Sequence, residues 1–148
     1  MRKLLFIWLV GVLVFLFESC SESRQVKYVF YFIGDGMGVN QVNGTEMYLA
    51  ERDNVIGVKG LNFASFPVRN YATTYSSYHG VTCSAAAGTA LATGDKTKDG
   101  TIGMDKEQKE PLYSVAVRAK EAGRKVGIIT SVGMNHATPA AFYGHQPR

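Results

Sequence analysis

Cysteine, histidine and concentrated charge are all scarce in this sequence. The 148 residues include two cysteines, Cys20 and Cys83, so a disulfide-rich scaffold is excluded. The three histidines give few candidates for a histidine-rich metal site. The 16 basic and 12 acidic residues give a net charge of +4 and are dispersed, without the basic stripe typical of nucleic-acid-binding proteins. We therefore expect no nucleic-acid partner.

The first twenty residues have the pattern of an export signal. Two basic residues precede an unbroken apolar run, residues 4–17, which is shorter than the roughly 20 residues of a membrane-spanning helix. A small residue then precedes Cys20, which resembles a bacterial lipoprotein signal. We expect residues 1–19 to be a signal peptide, Cys20 to be acylated and residues 20–27 to form a tether. A plain secretory signal and an N-terminal anchor are the alternatives. In this interpretation the protein is exported to the periplasm or cell envelope and its lipid attaches it to the membrane.

The remaining sequence predicts an α/β fold with a mainly parallel central sheet flanked by helices. Residues 26–33, VKYVFYFI, form a continuous apolar run that is typical of a strand buried on both faces. Residues 111–123 have the apolar spacing of a helix that begins near Pro111, and residues 125–130, KVGIIT, follow as a second buried strand. A strand, a helix and a strand in this order indicate parallel pairing.

Four further segments complete the predicted secondary structure. Residues 41–50 favour a helix, and residues 69–78, rich in threonine and tyrosine, favour a strand. Residues 95–109 are charged and contain glycine, which predicts a surface loop. A short helix is expected to begin at residues 139–142.

A glycine-rich loop, GDGMG at residues 34–38, follows the first predicted strand. In open α/β sheets, ligands bind beyond the carboxyl ends of the strands. A dinucleotide-binding fingerprint is disfavoured because Val39 replaces its third glycine and Asp35 would repel a pyrophosphate. Two interpretations remain open: a plain turn in which Asp35 caps a helix, and a metal site in which Asp35 supplies a hard oxygen ligand.

Ser84 lies where a loop becomes an alanine-rich helix, in the segment VTCSAAAGTALATG at residues 81–94. A hydroxyl in the first turn of a helix lies beside unpaired backbone N–H groups and the positive end of the helix dipole. This position suits a nucleophile that carries a phosphate, because the same helix end stabilises the anion. The alternative is that Ser84 is simply the N-cap of the helix, with Gly94 at its exit.

His136 and Thr138 follow the predicted strand at residues 125–130, at the same sheet edge as Asp35. Taken singly, a lone histidine is more often structural, and a threonine before a proline is an ordinary turn residue. Together with the serine at the helix start, these side chains supply a hard acid ligand, a nucleophile, a hydroxyl and an imidazole. Arg148 could hold a phosphate in its guanidinium fork.

Three motifs in this sequence, YFIGDGMG, VTCSAAAGTALATG and NHATPAAFYGH, resemble the N-terminal motifs of the alkaline phosphatases and occur in that family's order. The resemblance covers residues 28–148 and implies the N-terminal part of an alkaline-phosphatase-like domain. It also implies hydrolysis of phosphate monoesters through a phosphoserine. Full-length members of the family carry two zinc ions and one magnesium ion, and the full-length protein could form a homodimer.

The resemblance also gives each candidate residue a role. Asp35 corresponds to an aspartate that bridges a zinc and the magnesium. Ser84 corresponds to the nucleophile, which also ligates that zinc in the free enzyme. Thr138 corresponds to a magnesium ligand, and His136 to a position that acts on the magnesium mostly through water. Arg148 lies near the arginine that clamps the phosphate.

The sequence departs from the family pattern in two places. Cys83 stands where the well-studied bacterial relatives have an aspartate that braces the arginine. The spacing from His145 to Arg148 is one residue short, which leaves the register of the arginine open. The family's C-terminal part supplies another magnesium carboxylate and most zinc ligands, and the 148 residues end before it. We therefore expect an incomplete sheet and little activity from this chain alone.

Two other functions stay open at this point. A related metal-dependent hydrolase would act on phosphodiesters or sulfates, and competition between substrates would distinguish it. A non-catalytic exported lipoprotein would bind metal or phosphate, and replacing Ser84 would then change nothing measurable.

Overall fold

The computed structural model describes residues 26–147, in two units that divide after Ile33. In the first unit, residues 26–33 form no β-ladder, and Phe30 and Phe32 are 80% and 89% exposed. The prediction of a strand buried on both faces is therefore wrong for these residues. A strand is held by hydrogen bonds to a neighbouring strand, and an apolar sequence does not by itself supply that neighbour.

Three of the sequence predictions fall on residues that the structure does not describe. The signal peptide at residues 1–19, Cys20 and Arg148 all lie outside residues 26–147, and the tether is described at residues 26 and 27 alone. Within the described part of the chain, no helix is both long enough and apolar enough to cross a membrane.

The second unit contains a series of short helices. In chain order they are α1 (Val39–Arg52), a 3₁₀ helix (Asn62–Ser65), α2 (Ser84–Thr93), α3 (Val115–Glu121) and α4 (Ala137–Ala140). The helix predicted over residues 41–50 is confirmed and extends by two residues at each end. It begins after Gly38, whose backbone N–H donates to Gln41 Oε1 at 3.0 Å and so finds an acceptor at the open end of the helix.

Small residues line the buried side of α2. The helix begins after its N-cap, Cys83, and ends at Gly94, whose φ of 88° is left-handed and whose N–H donates to Ala90 O at 2.9 Å. The predicted helix and its exit are thus confirmed. The buried residues of α2 are Ala85, Ala86, Gly88, Thr89 and Ala92.

Gly88 lets α4 pack closely against α2. A Cβ atom at Gly88 would lie 3.2 Å from Ala141 Cβ and 3.4 Å from Thr138 Cα, so a larger residue would press on α4. The helix start predicted at residues 139–142 is observed two residues earlier, at Ala137. The close packing fixes the position of the first turn of α4 relative to α2.

The start of α3 differs from the prediction. The helix begins at Val115 rather than near Pro111, and Pro111 instead forms an isolated β-bridge with Met104. Ser114 is the N-cap: its hydroxyl accepts from Val117 N at 3.3 Å and donates to Phe142 O at 2.7 Å. A side-chain acceptor for the free N–H groups decides where a helix starts, and Ser114 supplies one.

No β-ladder forms among residues 26–147, so the strands predicted at residues 69–78 and 125–130 are also wrong there. The β-pairing in this part of the chain consists of isolated antiparallel bridges, Ile102 with Gln146 and Met104 with Pro111. Ile129, expected inside a buried strand, is 99% exposed. The described residues therefore do not themselves form the parallel sheet of the predicted fold class.

The charged segment at residues 95–109 is not simply a surface loop. Thr97 and Thr101 within it are fully buried. The Thr97 hydroxyl donates to Asp105 O at 3.0 Å, and Gln108 Nε2 donates to Thr101 Oγ1 at 2.6 Å. Because these hydrogen bonds satisfy the buried hydroxyls, a polar sequence can pass through the interior of the second unit.

Candidate active site

Asp35 is the point at which three of the candidate residues meet. Its Oδ2 accepts hydrogen bonds from Ser84 Oγ at 3.0 Å and from Thr138 Oγ1 at 2.9 Å, while its Oδ1 lies 3.3 Å from Ser84 Oγ. Ser84 and Thr138 are 49 and 103 residues from Asp35 in the sequence. The fold, rather than local chain geometry, therefore brings the three side chains together.

A tight turn presents Asp35 to these hydroxyls. Met37 N donates to Gly34 O at 3.1 Å, and Gly36 has a φ of 67°, a left-handed conformation that glycine adopts without strain. The N-cap of α1 is Gly38, so the interpretation of Asp35 as a helix cap is wrong. Its carboxylate is instead free to accept hydrogen bonds from two other elements.

Ser84 is the first residue of α2 and not its N-cap. The N-cap is Cys83, whose side chain accepts no capping hydrogen bond, and the Ser84 hydroxyl donates to Asp35 instead. The first N–H groups of a helix have no partner within it, and the helix dipole is positive at this end. An anion bound beside Ser84 would meet both features, as the sequence predicts.

The other candidate residues are not brought into this cluster. His136 is the N-cap residue of α4 and is exposed; its imidazole makes no hydrogen bond to any described residue, although it lies two positions before Thr138. Arg148 lies outside the described residues. The structure thus unites Asp35, Ser84 and Thr138.

His79 and Asp99, to which the sequence motifs assign no role, contact each other close to Cys83, the N-cap of α2. His79 Nδ1 is 2.6 Å from Asp99 Oδ2, and Gly100 N donates to the thiol sulfur of Cys83 at 3.1 Å. The hydrogen bond from His79 is the main reason that the pKa of Asp99 lies below its ordinary value. His79 and Asp99 are 20 residues apart, and neither belongs to a motif, so the sequence offered no signal for this pair.

The donor atoms around Asp35 suit magnesium better than zinc. One carboxylate and two hydroxyls are hard oxygen donors, the kind that magnesium prefers. Zinc sites are built mainly from histidine and cysteine, with carboxylates in support. Among residues 26–147, no group of three or more His, Cys, Asp or Glu side chains is placed to hold a metal ion. The described residues therefore fit part of a magnesium site and do not by themselves form a zinc site.

A separate open cleft of about 610 Å³ lies beside the end of α1. It is lined by Met47, Tyr48, Glu51, Asn54, Val55, Ile56 and Gly57. None of the three clustered residues contributes to it. The candidate catalytic and metal-binding side chains of Asp35, Ser84 and Thr138 thus lie outside this cleft.

The family model for alkaline phosphatase matches residues 26–148. The chain belongs to the alkaline phosphatase family. It is 33% identical over 133 residues to alkaline phosphatase 4 of Drosophila melanogaster, a match that covers 84% of this chain and 22% of that protein. The resemblance drawn from the three sequence motifs is confirmed.

Solved alkaline phosphatases have a similar fold. The enzyme from the Antarctic bacterium TAB5 is 32% identical with a TM-score of 0.66, over 77% of this chain and 31% of that one. A histidine-to-glutamate variant of TAB5 alkaline phosphatase with magnesium bound is 30% identical with a TM-score of 0.65, over 76% and 30% of the two chains. The alkaline-phosphatase-like fold is therefore confirmed as a partial domain, because the chain spans less than a third of these relatives.

Proposed function

We propose that the intact protein hydrolyses phosphate monoesters, with Ser84 as the nucleophile. Membership of the alkaline phosphatase family supports this reaction class. The observation that carries the assignment to Ser84 is its hydrogen bond to Asp35 from the first residue of α2. A carboxylate that accepts this hydrogen bond orients the hydroxyl and makes its oxygen more nucleophilic.

The reaction at Ser84 proceeds in two substitutions at phosphorus. The Ser84 oxygen forms a bond to phosphorus while the bond from phosphorus to the ester oxygen breaks, and the proton that the serine hydroxyl loses ends on the departing alcohol. Water then attacks the phosphoserine, releases phosphate and returns a proton to Ser84. The backbone N–H groups at the start of α2 would stabilise the phosphate oxygens in both steps.

Asp35 and Thr138 are the described residues that would hold magnesium. Their oxygen donors lie 2.9 Å apart and match the preference of this ion, and the similar TAB5 variant has magnesium bound. When bound, a metal beside the serine offsets the negative charge that develops on the transferred phosphoryl group. The two zinc ions that the resemblance implies, the water-mediated role of His136 and the phosphate clamp at Arg148 stay part of this proposal, and the family resemblance alone supports them.

Replacing Ser84 tests the proposal most directly. Ser84→Ala in the intact protein should lower kcat/KM for an aryl phosphate monoester by about 10³-fold or more, because the nucleophilic oxygen is lost. Ser131→Ala is a matched control: Ser131 is exposed, and its hydroxyl makes no hydrogen bond to any described residue. Turnover by Ser84→Ala at the level of Ser131→Ala would contradict the proposal.

We also propose that the protein is exported and attached to the membrane by a lipid on Cys20. The support is the sequence pattern of residues 1–20: two basic residues, an apolar run and a small residue before the cysteine. Cys20→Ser should move the protein from the membrane fraction to the soluble fraction of the producing cells. An unchanged distribution between the two fractions would contradict lipidation at this cysteine.

A further inference from the structure

A buried serine turn directs His79 towards the start of α2. Ser76 is almost fully buried, and its hydroxyl accepts from His79 N at 2.9 Å and from Tyr78 N at 3.3 Å. Ser76 N in turn donates to His79 O at 3.1 Å. These hydrogen bonds close the turn on itself, so the direction of the imidazole is set by the backbone of the turn.

Asp99 links this turn to the residue before Ser84. Its Oδ2 takes the 2.6 Å hydrogen bond with His79, and the next residue, Gly100, donates its backbone N–H to Cys83 Sγ. The other oxygen, Oδ1, is buried and has no hydrogen bond of normal geometry. Burial removes water from this oxygen and so destabilises the charged form of the carboxylate. The hydrogen bond between His79 and Oδ2 stabilises the charged form and offsets this cost.

The residue after Asp99 also holds Cys83. Gly100 N donates to Cys83 Sγ at 3.1 Å, so the thiol of Cys83 faces the segment that His79 holds through Asp99. Cys83 is the N-cap of α2 and is directly bonded to Ser84. A shift of Cys83 therefore rotates the first helical residue and changes the direction in which its hydroxyl points.

The same segment is joined to the middle of α2. The buried Thr89 hydroxyl accepts from Gly103 N at 2.9 Å and donates to Thr101 O at 3.3 Å. The chain from Asp99 to Gly103 is thus attached to α2 at its N-cap and again more than one turn further along. Two attachments to one helix restrict both its position and its rotation.

We propose that Asp99, held by His79, is a positioning residue that fixes Cys83 and thereby aims the Ser84 hydroxyl at Asp35. The inference rests on the proposed role of Ser84 as nucleophile. Asp99 does not touch the substrate in this proposal. It affects the direction from which the Ser84 oxygen attacks phosphorus. A small misplacement of a nucleophile lowers kcat rather than the affinity for substrate.

The first experiment compares three variants of the intact protein on an aryl phosphate monoester. Asp99→Ala should lower kcat about tenfold or more and leave KM within about threefold, because attack is misaligned while phosphate binding persists. Asp99→Asn should restore kcat to within about threefold of the native value, since its amide can keep the hydrogen bond with a neutral imidazole at position 79. Asp95→Asn is the matched control: Asp95 is exposed, and its carboxylate has no hydrogen bond or ion pair among the described residues.

A second pair of variants, at His79, tests the same proposal even if the Asp99 variants do not fold. His79→Ala should lower kcat with little change in KM, and His79→Asn, whose amide nitrogen can replace Nδ1, should recover most of it. Melting temperatures measured on the same samples identify variants that do not fold. Native kcat in both Asp99→Ala and His79→Ala, with Ser84→Ala inactive, would overturn the positioning role alone. Full activity of Ser84→Ala would instead overturn the proposed function.

Discussion

At the residue scale, the site depends on a few polar contacts between distant parts of the sequence. Asp35 stands out in the sequence because it follows an apolar run in a glycine-rich loop, and Ser84 because it begins an alanine-rich helix. Both patterns are local, so the sequence was sufficient to find them. The contact between His79 and Asp99 was missed because it depends on how two loops pass each other, and nothing in either loop predicts the other.

The stability of the folded protein in acid depends in part on the carboxylate of Asp53. The hydrogen bond from Arg52, followed by that from Lys59, lowers the pKa of Asp53 to about 2, from the ordinary value of 3.8. The carboxylate therefore stabilises the fold above the pKa that it has in the unfolded chain, and this stabilisation is lost as the pH falls from about 4 towards about 2.

We expect the melting temperature of the native protein to fall through this pH range, and Asp53→Asn to show a shallower fall. Thermal unfolding monitored by circular dichroism at pH values between 5 and 2 would measure both slopes. Glu51→Gln is a nearby control, because Glu51 is exposed and makes no ion pair among the described residues. Identical slopes for the native protein and Asp53→Asn would contradict the prediction.

At the element scale, helices were predicted well and strands poorly, for a physical reason. The signals for α1 and α2 lie inside or next to the helix: the partial apolar face of residues 41–50, the alanine run and Gly94 at the exit of α2. A strand is stabilised by hydrogen bonds to another segment, so the apolar runs at residues 26–33 and 125–130 could not be assigned from their own composition. The start of α3 was misplaced because the tertiary contact of Ser114 with Phe142 O was not visible in the sequence.

The packing of α4 on α2 can be tested with a matched pair of glycine substitutions. Gly88 and Gly44 both lie inside helices, but a Cβ at Gly88 would meet Ala141 and Thr138, whereas at Gly44 nothing lies within 4 Å. Gly44→Ala should stabilise the protein by about 0.5–1 kcal/mol through helix propensity. Gly88→Ala should be less stable than Gly44→Ala by about 1–3 kcal/mol, because overpacking displaces α4.

The denaturation midpoints of the two variants measure this difference. Magnesium affinity provides a second readout, because displacement of α4 moves Thr138 away from Asp35 and should weaken binding in Gly88→Ala alone. Equal midpoints and equal magnesium affinities would show that the contact at Gly88 does not set the position of α4.

At the scale of the whole molecule, the distribution of apolar side chains explains why hydrophobicity does not predict the core of the described residues. The apolar residues that are buried in the described part of the chain are small: Ala50, Ala85, Ala86, Ala92, Ala140 and Ala141. Larger side chains such as Phe32 and Ile129 are exposed there, although hydrophobicity predicted them to be core residues. The family could be recognised because its three motifs contain Asp35, Ser84 and Thr138, whose side chains meet in the structure.

The alanine and glycine surface between α2 and α4 has a consequence for conformational entropy. Neither residue has a rotatable χ angle, so burying the alanines and Gly88 between the two helices removes almost no side-chain entropy. For the same reason Gly88 and Ala141 have no alternative rotamers through which their contact could relax after a disturbance. The distance between Gly88 of α2 and Thr138 of α4 is consequently set by contacts of backbone and Cβ atoms, and thermal repacking of neighbouring side chains should leave it unchanged.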